Sequence, residues 1–156
     1  MTDNKTLLDE EHEELVRKLE SVSKEENPMG TAFSDILCSF KCHMERENGT
    51  VIPLLKFLNE RVSESVGVGN KNLIDTGNEF RKNYKEMLEE HRSIVNIINH
   101  ARSDLVPFSS GEISSITNEL MHHISLEEEI LYPAAFAASD LILSQPSVTT
   151  TVSKTD

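Results

Sequence analysis

Four stretches of this chain carry apolar residues spaced by threes and fours, and each of those stripes is interrupted by a histidine. The spacing is that of an amphipathic helix, whose inward seam must be buried against neighbours. The first stripe reads Leu8, His12, Leu15, Leu19 and Val22. The second reads Phe33, Leu37, Phe40, His43, Glu47, Val51, Leu54 and Leu58, and the third Phe80, Tyr84, Met87, His91, Ile94, Ile98 and Leu105. The fourth reads Ile113, Ile116, Leu120, His123, Glu127, Ile130 and Ala134. No alternating strand pattern competes, so the expected fold is an all-α, antiparallel, up-down-up-down four-helix bundle.

Glycine and proline punctuate the chain at residues 27–30, 67–77 and 107–111. Helices are expected over 6–23, 31–64, 78–103 and 112–143, with start signals in Thr6-Leu-Leu-Asp9 and Ser109-Ser-Gly-Glu112. Beyond Gln145 apolar content almost vanishes, which predicts one domain over 1–144 and a disordered tail over 145–156. The two halves also repeat each other. Leu8-Asp-Glu-Glu-His12 parallels Met87-Leu-Glu-Glu-His91, and His43-x-x-x-Glu47 with Pro53 parallels His123-x-x-x-Glu127 with Pro133. The offsets agree to within one residue, as a pseudo-twofold pair of helical hairpins requires. Pro53 and Pro133 should kink or end their helices just past the two glutamates.

A net charge of −12 with no long run of lysine and arginine argues against a nucleic-acid partner. The polar, acidic N-terminus lacks the basic and apolar regions of a secretory leader, and no stretch approaches the roughly 20 apolar residues that cross a bilayer. A cytoplasmic protein with no membrane partner is expected. Cys38 and Cys42, four apart, read as reduced core thiols rather than a disulfide framework.

Glutamates on a buried seam are the costly feature. An ionised carboxylate loses several kcal/mol on burial even after relaxation, and no lysine or arginine shares the seams with Glu47 and Glu127. Neutral imidazoles cannot offset that charge, but imidazole and carboxylate together are good ligands for divalent first-row metals. The metal candidates are therefore His12, His43, Glu47, His91, His123 and Glu127. Residues four apart stand one above the other on a helix, so each His-x-x-x-Glu can give one ion a nitrogen and reach a shared position with its carboxylate. Two such glutamates can bridge two ions about 3.5–4 Å apart. Nitrogen and oxygen ligation without thiolate favours iron or manganese over structural zinc, with iron the first choice of the two.

Glu119, one turn before His123, is a candidate to orient that ring, and Tyr84 is assigned to the core. Glu128 and Glu129 read as solvated charges, and His100 and His122 lie off the seam. The Glu-x-x-His spacing of ferritin-like sites occurs once, at Glu119 and His122, without a partner.

With those residues in place, the sequence resembles hemerythrin-like proteins of the HHE cation-binding type, from Leu8 to Pro133. The most specific pieces are His43-Met-Glu-Arg-Glu47 running to Pro53 and His123-Ile-Ser-Leu-Glu127 running to Pro133. The resemblance implies two iron ions, with the four histidines as terminal ligands and Glu47 and Glu127 as bridges. Oxygen-carrying hemerythrins have a fifth histidine where this chain has Val95, which implies an additional open coordination position. Three functions follow from the resemblance: binding or sensing of dioxygen, enzymatic turnover of nitric oxide or peroxide, and iron storage or delivery.

Overall fold

The computed structural model describes residues 6–62, 71–104 and 111–145, and among these every regular element is helical. They are α1 (Leu7–Ser23), α2 (Pro28–Gly49), α3 (Val51–Val62), α4 (Lys71–Asp104), α5 (Gly111–Leu126), a π-helical turn (Glu127–Leu131) and α6 (Tyr132–Leu143). Residues 63–70, 105–110 and 146–156, which include Leu105, the Ser109 start signal and almost all of the expected tail, lie outside the described residues.

The local sequence explains where the helices start. α1 opens on a capping box: the Asp9 N–H donates to Thr6 Oγ1 at 3.1 Å, and the Thr6 N–H donates to Asp9 Oδ2 at 2.7 Å. α2 starts earlier than the sequence implied. Asn27 caps it by accepting from the Gly30 N–H at 2.9 Å, and Pro28 sits in the first turn, where its missing N–H costs nothing. α4 also starts early and runs straight through Gly77. That glycine is not a break: it is buried against α6, where a Cβ would lie 2.6 Å from Ser139 Oγ.

Both expected proline disturbances occur, in different forms. A continuous helix would drive the Pro53 ring into the Gly49 carbonyl, so α2 ends there and the chain turns at Thr50 before α3. The Thr50 N–H donates to the Glu47 carbonyl at 3.1 Å, and Thr50 Oγ1 donates to the Arg46 carbonyl at 2.7 Å. At Pro133 the helix widens instead of breaking, and the Tyr132 N–H donates to the Glu127 carbonyl across the π turn. The wider turn rotates everything after it. Ile130, expected on the inward seam, is 56% exposed, and Tyr132, Ala135, Ala138 and Ile142 are buried in its stead.

α1 packs on α2 and α5, while α4 packs on α2, α3, α5 and α6, and α3 meets α6. The result is a helical bundle with two apolar clusters. One gathers Leu19, Phe33, Phe40, Ile94, Ile98 and Leu120; the other gathers Leu54, Phe80, Met87, Tyr132 and Ala135. α1 contributes only to the first cluster; along the rest of the chain the switch falls between Phe40 and Val51, Met87 and Ile94, and Ile124 and Tyr132, around the polar seam positions. Cys38 and Cys42 are exposed on α2 rather than buried, because the inward face there is held by Ile36, Phe40 and His43. No described helix is long and apolar enough to cross a membrane.

Two glycine substitutions separate close approach from mere composition. A Cβ on Gly30 would lie 1.9 Å from the Glu25 carbonyl oxygen, whereas one on Gly49 meets nothing within 4 Å. Gly30→Ala is expected to lose about 1–3 kcal/mol of stability or more in denaturant unfolding. Gly49→Ala is expected to hold steady or gain up to about 1 kcal/mol.

Candidate metal centre

The bundle brings all six candidate side chains into one buried layer. His12 comes from α1, His43 and Glu47 from α2, His91 from α4, His123 from α5, and Glu127 from the first position of the π turn; each is at most 1% exposed. Their ring nitrogens converge in two pairs: His43 Nε2 lies 2.9 Å from His91 Nε2, and His12 Nε2 lies 3.1 Å from His123 Nε2.

The carboxylates sit between the pairs. Glu127 Oε1 is 2.6 Å from His123 Nε2 and 3.4 Å from His12 Nε2, and its Oε2 is 3.0 Å from His91 Nε2. Glu47 Oε2 is 3.3 Å from His12 Nε2, and its Oε1 is 3.4 Å from His43 Nε2. Among the described residues no lysine or arginine pairs with either glutamate.

The outward nitrogens explain why the Nε2 atoms face in. His43 Nδ1 bonds Glu90 Oε2 at 3.0 Å, and His91 Nδ1 bonds Glu128 Oε1 at 2.8 Å. A carboxylate can only accept, so Nδ1 carries the proton in both rings, which leaves the inward Nε2 lone pair free in the neutral imidazole. Glu11 Oε1 lies 3.2 Å from His123 Nδ1 without hydrogen-bond geometry, and His12 Nδ1 has no partner.

These orienting carboxylates were not legible in the sequence. Glu90 precedes His91 but serves His43 on another helix, and Glu128 is at the surface yet still reaches a buried ring. Glu119, the sequence candidate for this task, instead pairs with Lys18 and accepts from Ser115. Tyr84 packs against Phe80, Tyr132 and Phe136, in keeping with a core role. His100 and His122 are exposed.

Tyr132 is the other residue that sequence periodicity missed. Its hydroxyl donates to Glu47 Oε1 at 2.8 Å and lies 3.2 Å from His43 Nε2, while its ring stacks on His91 at a 6° interplanar angle. It lies five residues after Glu127, a spacing that faces inward only through the π turn that Pro133 imposes.

The electrostatics show what the pocket lacks. Burial opposes charge on His12, yet hydrogen bonds to Glu127 and Glu47 outweigh it and push its pKa up to about 9. For His43 the same burial is outweighed by Glu127, Glu47 and Glu90, to about 11. Burial alone would raise Glu127, but hydrogen bonds from the histidines hold it well below the usual carboxylate range. Burial, and then the charges of Glu47 and Glu127, push the Tyr132 phenol upward. Without a cation, protons must supply the positive charge this layer demands.

A metal suits the same atoms. Metal–ligand bonds of about 2.0–2.2 Å set neighbouring ligands about 3 Å apart, which is the spacing of both nitrogen pairs. Glu47 Oε2 and Glu127 Oε2 are fully buried, and their contacts to the histidine nitrogens are poorly aligned as hydrogen bonds. Two triads, His12 with His123 and Glu127, and His43 with His91 and Glu127, have the spacing to hold an ion.

Buried imidazole and carboxylate clusters inside a helical bundle define a cation-binding protein of the all-α class. The Hemerythrin HHE cation binding domain matches residues 4–135, and the chain belongs to that family. No curated protein matches the chain. No solved structure matches it either.

Because His12 and His43 titrate above their ordinary value of 6.5, both carry protons at pH 7 in the metal-free chain. A cation must displace them, so metal uptake should release protons and strengthen as pH rises from 6 toward about 9. Calorimetric titration in buffers of different ionisation enthalpy reads this directly. Uptake without proton release would contradict the assigned protonation.

Proposed function

We propose that the protein is a non-haem diiron protein that binds dioxygen or a related small molecule. In this reading residues 1–144 form an antiparallel, up-down-up-down hemerythrin-like domain in the cytoplasm, where two unpaired surface cysteines remain reduced. His12, His43, His91 and His123 are terminal ligands, and Glu47 and Glu127 are bridges. One observation carries the proposal: the two oxygens of Glu127 are divided between the histidine pairs, Oε1 toward His12 and His123, and Oε2 toward His43 and His91. That division suits a carboxylate shared by two ions better than a single chelated one.

When bound, a reduced iron pair supplies electron density to a small diatomic ligand. The chain's part is to position and to exclude water. Glu90 and Glu128 fix the tautomers of His43 and His91. The Phe40 ring stands edge-on to both His12 and His123, at 5.8 and 5.7 Å between centroids, and walls that side with apolar surface. Val95 is half-buried among the apolar core residues and brings no nitrogen to the site.

Protein loaded with ferrous iron without oxygen is expected to hold about two irons per chain. Glu47→Ala and His123→Ala should each lose most of that iron. Unchanged iron content in both variants would remove them from the ligand set. A visible absorption change on adding dioxygen, reversed by degassing, supports binding or sensing; multiple turnovers of peroxide or nitric oxide would move the protein to the enzymes, and loss of iron to an acceptor would move it to iron delivery.

A further inference from the structure

We infer that the Tyr132 hydroxyl oxygen is a fifth protein ligand to the ion held by His43 and His91, so that the two ions of the centre are chemically unlike. The inference deepens the dinuclear reading above and rests on it.

Five inward atoms surround one point on this side. His43 Nε2 lies 2.9 Å from His91 Nε2, 3.2 Å from Tyr132 Oη, 3.4 Å from Glu47 Oε1 and 3.5 Å from Glu127 Oε2. Around that apex, Tyr132 Oη is 2.8 Å from Glu47 Oε1 and 3.4 Å from His91 Nε2, and His91 Nε2 is 3.0 Å from Glu127 Oε2. Ligands at right angles on a first-row metal lie about 3 Å apart. These seven separations match seven of the eight edges of a square pyramid with His43 at its apex and Tyr132 at the basal corner between Glu47 and His91. Without Tyr132 one basal corner is missing.

On the opposite side the described residues bring four inward atoms together and no counterpart of the Tyr132 hydroxyl. His12 Nε2 is 3.1 Å from His123 Nε2, 3.3 Å from Glu47 Oε2 and 3.4 Å from Glu127 Oε1, and Phe40 borders the two imidazoles. The sequence repeat makes the contrast sharper, because Ile52 before Pro53 is the counterpart of Tyr132 before Pro133 and offers no donor. At Pro53 the helix breaks; at Pro133 the π turn swings position 132 inward. A tyrosine oxygen is a hard donor of the kind iron accepts. On coordination its proton leaves to solvent, and the hydrogen bond it gives Glu47 in the metal-free chain is surrendered.

The test compares the iron-loaded, oxidised wild type with Tyr132→Phe and with Tyr84→Phe as a control. Expected in the wild type and in Tyr84→Phe is a tyrosinate-to-iron(III) charge-transfer band, with tyrosine ring modes enhanced in resonance Raman. Tyr132→Phe should lose both signals while keeping its iron. Iron-loaded wild type without enhanced ring modes overturns the inference whatever the variants do, and so does a band that survives in Tyr132→Phe. In either case the diiron reading stands; a wild type that takes up no iron sinks that reading and this one together.

Discussion

Two carboxylates lie in the middle of an apolar bundle with imidazoles as their only ion-pair partners among the described residues, and the rest of the structure is arranged around that burden. Each ionised group taken from water costs several kcal/mol, and breaking a buried ion pair by removing one partner typically costs about 3–5 kcal/mol. Positive charge must therefore enter the layer. In the metal-free chain protons on His12 and His43 provide it, and a cation can replace them through the same inward nitrogens. Folding and metal uptake are thus linked through one set of atoms.

The apolar clusters on either side do the complementary work. They hold four helices close enough for Nε2 atoms from different elements to meet at about 3 Å, and they keep bulk water from solvating the glutamates. The outer carboxylates Glu90 and Glu128 extend the design outward, because each accepts a hydrogen bond from a histidine Nδ1–H and so holds that ring against flipping. Arg46 ties Glu90 and Glu86 of α4 to α2, which steadies the partner of His43 from outside the bundle.

Much of this is legible in the sequence. Spacing by threes and fours located the buried faces, and the repeat of His-x-x-x-Glu with its downstream proline picked out the residues that meet in the core. What escaped were features with no one-dimensional signature. Gly77 looks like a helix break but is a contact point against Ser139, which only the packing of α4 on α6 discloses. Cys38 and Cys42 share helical spacing with core residues yet fall on the outer face. Tyr132 departs from the α-helical period, and only the combination of Pro133 with a widened turn brings it inward. The two halves are alike in ligand spacing and unlike in how each proline is absorbed, and that difference gives the site its asymmetry.

Anomalous diffraction at the iron edge, from crystals of the iron-loaded protein, tests the shared-carboxylate centre most directly. Two peaks are expected about 3.5–4 Å apart, one between His12 and His123 and the other between His43 and His91, with Glu47 and Glu127 reaching both. A single peak, or iron elsewhere on the chain with the six side chains still clustered, would contradict it.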